Sequence, residues 1–224
     1  MLMKLLHFTK AWIYERIFNQ MRNIVYWKLL LFALSLLPAV ALVWMALQNQ
    51  LGANPVEKLI HETGEWGLRF LLLTLAITPL RKKFSWNVLL KFRRMLGLFA
   101  FFYAFTHFAI YLSLEHFFDW QEILKDIAKR PYVTVGFVGI VILTVLAITS
   151  FNGIRRRLGK RWVVLHRSVY VAASCAVFHY LWLVKADILE PVIYAVIWLV
   201  LLAVRRQAKP TQQQSTLQAR SQQV

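Results

Sequence analysis

Long apolar runs, separated by short basic or turn-forming breaks, dominate the chain. Crossing the hydrocarbon of a bilayer takes about 20 helical residues. Six stretches approach that length, at roughly 29–47, 66–80, 95–114, 132–150, 162–183 and 190–204. The second and sixth are short, and the second is predicted to begin earlier, near His61. Breaks fall at Gly52 to Pro55, Pro79, Arg130-Pro131, Asn152-Gly153 and Glu190-Pro191, residue types that start or stop helices. The pattern predicts an all-α membrane protein built as a six-helix transmembrane bundle. Residues 1–25 read as a cytoplasmic N-terminal extension, 26–206 as the six-span domain and 207–224 as a disordered, Gln-rich cytoplasmic tail. Leu5 to Phe18 mixes apolar and basic residues and reads either as an amphipathic surface helix or as a loosely ordered extension. No internal repeat is evident.

Composition supports lipid as the solvent. Hydrophobic residues make up 59% of the chain, with 9 Trp, 8 Tyr and 16 Phe, and mean hydropathy is +0.52. That exceeds what a soluble domain of this length hides. The 8 Gly and 6 Pro are few for a barrel of short strands.

A net charge of +17 would point to nucleic acid in a soluble protein, but here the charge is clustered between spans. The segments up to Lys28, Arg81 to Arg94, Arg155 to Arg161 and the tail from Arg205 carry 20 basic residues and one acid, Glu15. The alternate loops, 48–65, 115–131 and 184–190, carry 5 basic and 9 acidic residues. The positive-inside rule predicts both termini in the cytoplasm. The N-terminus lacks the short apolar core and small-residue cleavage site of a signal peptide. Cys175 is the single cysteine, which excludes an internal disulfide and any Cys-ligated zinc or iron–sulfur centre.

Ionisable side chains inside spans are costly and mark function. Three histidines qualify: His107 in the third span, and His166 and His179 in the fifth. A neutral imidazole is the cheapest of these groups to bury and a good iron ligand. Counting from Glu115 and Lys185 at about 1.5 Å per residue, His107 and His179 lie about 12 Å and 9 Å below the outer edge. That common depth suits the two axial ligands of one b-type haem in the periplasmic half. His166 lies about 20 Å deeper and, on a continuous helix, about 140° around the axis from His179. No second histidine in spans two to four matches its depth. A second haem there needs an unusual partner or a five-coordinate iron.

The bland alternative for each histidine is a helix–helix hydrogen bond. His61 reads as an interfacial residue beside Glu62 and Glu65, while His7 and His116 lie outside the spans. Arg69 falls within the second span, and no acid lies within the span limits. A buried guanidinium needs an anion, so Arg69 reads as a partner for a haem propionate, with snorkelling to the surface as the alternative. Arg93 and Arg94 read as interfacial anchors or as a grip on a phosphate-bearing cofactor or lipid headgroup.

The run Arg93-Arg94-Met95-Leu96-Gly97-Leu98, then Thr106-His107 and Tyr111, resembles the third helix of the ferric-reductase-like transmembrane superfamily. Leu51-Gly52-Ala53-Asn54-Pro55-Val56, Ile77-Thr78-Pro79-Leu80-Arg81, Arg130-Pro131-Tyr132, Leu158-Gly159-Lys160-Arg161-Trp162, Leu165-His166 and His179-Tyr180-Leu181-Trp182 narrow it. They are similar to one branch, the haem-binding membrane subunits of bacterial periplasmic methionine sulfoxide reductase systems. The resemblance runs from about Tyr26 to Arg206.

It implies an inner-membrane electron-transfer subunit that draws on the quinone pool. Electrons would pass through haem b to a periplasmic molybdenum-dependent partner that repairs oxidised proteins. It also implies FMN, without residues to hold it, and haem-linked roles for His107, His166 and His179.

Two other readings compete. A stand-alone ferric reductase of the same superfamily would carry a large cytoplasmic FAD/NADPH domain, yet the sequence continues only 20 residues beyond 204. Electrons are therefore expected from a membrane carrier or a separate protein. A proton-coupled transporter would use His and Arg along its pathway, but the spans lack acids and broken helices.

Overall fold

The computed structural model describes residues 2–184 and 188–207, with side chains over 23–184 and 188–205. The predicted tail lies outside the described residues, as do the side chains that would make the N-terminal extension amphipathic. The described residues contain helices and no strands. Among the described residues three helical stretches are long and apolar enough to cross a membrane: Asn23–Leu47, Asn87–Glu115 and Pro131–Ile148.

The chain divides into two compact units. The first is essentially α1 (Leu2–Leu47), a single helix of 46 residues with Pro38 inside it. Its backbone shows no boundary where the N-terminal extension meets the first apolar run. Val25 to Leu47 presents Tyr26, Trp27, Leu30, Phe32, Val43 and Trp44 outward, as a lipid-facing helix does.

The second unit, from Leu51, is a bundle organised around two helical hairpins. Asn54 caps α2 (Pro55–Phe84), accepting from the Glu57 N–H at 3.3 Å with Pro55 at the first position. These are the residues that satisfy and pre-shape a helix start. Pro79, predicted as a break, lies inside α2. The helix continues to a last turn holding Arg81, Lys82 and Lys83, cations that favour its C-terminal dipole. A turn at Asn87–Leu89 leads into α3 (Leu90–Ile110), which widens into a π-turn at Tyr111–Glu115. The short α4 (Trp120–Lys129) precedes α5 (Pro131–Ile148).

The predicted fifth span is interrupted. After a short α6 (Asn152–Leu158), it falls into α7 (Lys160–Leu165), a 3₁₀ turn at His166–Ser168 and α8 (Val169–Leu183). The Ser168 hydroxyl donates to the Leu165 carbonyl at 2.7 Å, a local bond that competes with the helical ladder. The 140° separation expected for one continuous helix therefore does not describe His166 and His179. Finally, α9 (Leu189–Gln207) carries Pro191 in its first turn, where its missing N–H costs nothing.

Small residues let the hairpin helices approach. A Cβ on Gly67 would lie 3.2 Å from the Ala104 backbone nitrogen, and one on Gly139 would lie 3.3 Å from Cys175 Cβ. Ala100, Ala172 and Ala173 have no exposed surface. Aromatics fill the first hairpin, with Phe70 stacked on Tyr103 at 5.3 Å and flanked by Trp66 and Phe99. Leu68, Leu72 and Val177 form a second cluster against Tyr180, Tyr194 and Trp198, tying α2, α8 and α9 together.

Candidate cofactor sites

His107 and His179 come together from α3 and α8. Their ring centres are 6.2 Å apart and the ring planes are inclined at 79°. Nδ1 of His107 lies 2.8 Å from the Ile60 carbonyl oxygen, and Nδ1 of His179 lies 2.7 Å from the Tyr132 carbonyl oxygen. A carbonyl only accepts, so both rings carry their proton on Nδ1 and keep Nε2 as a lone-pair donor. A carbonyl on the far nitrogen is the usual support for a metal-ligating histidine.

Two imidazoles that share one metal at about 2 Å each hold their ring centres about 6 Å apart. The observed spacing fits a single iron between them. Among the described residues no group of three or more His, Cys, Asp or Glu is arranged for a metal ion; a haem asks the protein for only two such imidazoles.

The two seats are built alike. His107 rests on α2 at Gly64, one turn beyond Ile60, and His179 rests on α5 at Gly136, one turn beyond Tyr132. Each member of the second set follows its counterpart at a constant interval of 72 residues. The same interval relates Gly64-Glu65-Trp66-Gly67 to Gly136-Phe137-Val138-Gly139, and Ala100 to Ala172. The bundle thus contains a structural repeat that no run of identical side chains announces. The glycine pairs and the histidine 43 residues beyond the first glycine are its clearest trace in the sequence.

At the other end of these hairpins lies a cavity of about 560 Å³. Lys82, Arg93, Arg94, Arg155, Arg167 and Arg205 line it together with Trp162 and His166, and none of the described lining residues is acidic. His166 stacks on Trp162 at 3.9 Å, and its Nε2 lies 3.1 Å from the Thr149 hydroxyl. The Trp162 indole N–H donates to the Thr149 carbonyl at 2.9 Å, while Arg155 lies 5.0 Å over its ring. Arg94 donates to the Asn152 side chain at 2.7 Å. By the interval of 72, the residue matching His166 in the first hairpin is Arg94, so α3 brings a guanidinium where a second imidazole would be needed.

Arg69 has two polar partners, Glu65 one helical turn away and Tyr194 from a distant part of the chain. It donates to Glu65 at 2.6 Å and to the Tyr194 hydroxyl at 2.7 Å, and its guanidinium lies 4.8 Å over Trp66. The Tyr180 hydroxyl donates to Glu65 at 2.9 Å and also contacts Glu190 at 3.2 Å. The apolar pattern places Glu65 in the preceding loop, but α2 starts at Pro55, which puts the acid one turn before Arg69.

The acids of the segment between α3 and α5 also divide. Asp126 is buried, accepts from Tyr111 at 3.0 Å and pairs with Arg130 at 2.7 Å. His116 stands 3.8 Å from the same carboxylate. Asp119 caps α4 by accepting from the Gln121 and Glu122 N–H groups. Both are committed to structure.

Residues 63–177 match the family described as ferric reductase like transmembrane component. Three curated relatives each bear the name protein-methionine-sulfoxide reductase heme-binding subunit MsrQ. The protein of Herminiimonas arsenicoxydans is 54% identical over 80% of this chain and 83% of its own length. That of Rhodospirillum rubrum is 50% identical over 80% and 86%, and that of Caulobacter vibrioides 46% over 74% and 79%. No solved structure matches the chain.

Proposed function

This chain belongs to the ferric-reductase-like transmembrane family, among its MsrQ members, and on that premise we propose that it is a haem b electron-transfer subunit of the bacterial inner membrane. Six spans cross the bilayer with both termini cytoplasmic, and residues 26–206 form the haem-binding domain. The subunit takes electrons from membrane quinol and delivers them to a periplasmic MsrP-type molybdenum reductase. That partner reduces methionine sulfoxide in oxidised periplasmic proteins.

The observation that carries this reading is the pair His107 and His179, with ring centres 6.2 Å apart and each ring latched through Nδ1 to a carbonyl, which leaves Nε2 as its lone-pair nitrogen. Haem iron supplies a one-electron couple there. The protein's part would be to supply two neutral imidazoles from α3 and α8, and an iron held by both would favour electron transfer over oxygen chemistry.

The cationic cavity is the natural seat for FMN. Its cations suit a phosphate, with Arg93 and Arg94 opening α3 toward it and guanidinium forks matched to phosphate oxygens. Trp162 and His166 offer a flat aromatic wall. An anionic occupant also relieves the mutual repulsion of the lining side chains. His166 then serves the inner cofactor; a second haem in the same place would have one imidazole and no partner from α3. Arg69 keeps Glu65 as its counter-ion and orients the outer half of α2 beside the haem.

The test is reconstitution in detergent with quinol, the MsrP-type partner and methionine sulfoxide. The expected outcome is a b-type spectrum that quinol reduces and that partner plus sulfoxide reoxidises. Haem reduction with free ferric chelates as the only effective acceptor would favour the stand-alone metal reductase. A correctly folded, colourless preparation would end the haem reading.

A further inference from the structure

The two histidine seats repeat a backbone device, not only a pair of ligands. In an α-helix a carbonyl oxygen accepts from the N–H four residues on. The Cβ of that later residue tilts back over the oxygen. A side chain there would cover the oxygen from outside. Ile60 and Tyr132 are each followed four residues later by glycine, Gly64 and Gly136, and each oxygen is reached by an imidazole from the neighbouring helix.

The clearance is small. A Cβ added at Gly136 would stand 2.7 Å from His179 Nδ1, 3.0 Å from Cε1 and 3.1 Å from Cγ. One added at Gly64 would stand 3.0 Å from His107 Nδ1 and 3.2 Å from Cε1. Neither ring can retreat and keep its bond of 2.7 or 2.8 Å to the carbonyl. Moving the ring turns Nε2 away from its present direction.

We propose that Gly64 and Gly136 are positioning residues that fix the rotation of the two haem-ligating imidazoles and so set their crossed arrangement at the iron. The proposal rests on the haem reading above. Gly136 is the stricter seat, because its ring contact is the closer. The seats act on geometry alone, since neither glycine brings a charge or a donor side chain to the site.

The experiment compares Gly64→Ala, Gly136→Ala and a control, Gly153→Ala, whose added Cβ meets nothing within 4 Å. Haem per protein, the optical spectrum and the ferric electron paramagnetic resonance signal are read on purified full-length protein. Crossed imidazole planes give a low-spin signal dominated by one large g value, and parallel planes give a rhombic one. The expected result for Gly136→Ala is loss of roughly half or more of the haem, with a changed low-spin or new high-spin signal in what remains. For Gly64→Ala, haem is retained with a shifted signal, and Gly153→Ala is indistinguishable from the parent.

Parental haem content and an unchanged signal in both Gly64→Ala and Gly136→Ala would overturn the proposal. If Gly136→Ala fails to fold, Gly64→Ala decides alone, because its ring need yield only a few tenths of an ångström. Failure of the haem reading looks different. There the parent itself is colourless, or keeps its haem in His107→Ala and His179→Ala.

Discussion

The two ends of the paired hairpins, outer and inner in the proposed orientation, follow opposite rules. At the outer end α2–α3 and α5–α8 repeat one another: a carbonyl, a glycine one turn on, and an imidazole from the partner helix. At the inner end the repeat dissolves, with Arg94 in one hairpin where the other has His166. Like meets like at the outer end, where two imidazole rings stand 6.2 Å apart. Unlike residues meet at the inner end, where a cavity of about 560 Å³ gathers cations. A backbone device can thus be duplicated while the side-chain chemistry between its copies diverges.

The largest effect separates the two ends directly. His107→Ala or His179→Ala removes nearly all haem, whereas His166→Ala leaves the outer haem spectrum in place; pyridine haemochrome per protein measures it. Full haem in both of the first two variants would erase the distinction.

Next comes the inner cavity. Arg93→Ala combined with Arg94→Ala costs about 1.5–3 kcal/mol for each charge-assisted hydrogen bond removed. Flavin retained after purification, read by fluorescence of the released cofactor, should fall at least about tenfold while haem is unchanged. Coordinate loss of both cofactors would mean that the ends are not independent.

A smaller effect concerns the outer polar network. Arg69→Met strands Glu65 and Tyr194 and should lower stability by about 2 kcal/mol, seen as a reduced thermal midpoint with haem content intact. Loss of haem instead would return Arg69 to a propionate.

The smallest is Tyr180→Phe. It removes one hydroxyl shared by Glu65 and Glu190 and should cost about 1 kcal/mol. The residue follows His179 directly, so an altered ferric signal in Tyr180→Phe would link this network to the ligand.

Much of the architecture is legible along the chain because lipid imposes simple rules. Apolar runs and helix-breaking residues mark the helices, with the Arg130-Pro131 boundary falling where α5 begins. The near-equal depths of His107 and His179 anticipate that they meet, since rise per residue converts sequence position into height. Pro79 misleads because a proline within a helix is tolerated where other contacts compensate. The interruption at His166 is hidden because a 3₁₀ turn needs only local hydrogen bonds such as Ser168 to Leu165.

By itself the sequence determined the helical membrane class, the charge asymmetry and which imidazoles share a level, all of which follow from composition and spacing. Tertiary structure alone decided the rest. It showed that Arg69 of α2 reaches Tyr194 of α9, that Tyr111 donates to Asp126, and that six cations converge on one cavity. It also exposed the repeat, because the repeat is written in carbonyl oxygens and missing side chains. Those carry no letter-by-letter signature until two helices lie against each other.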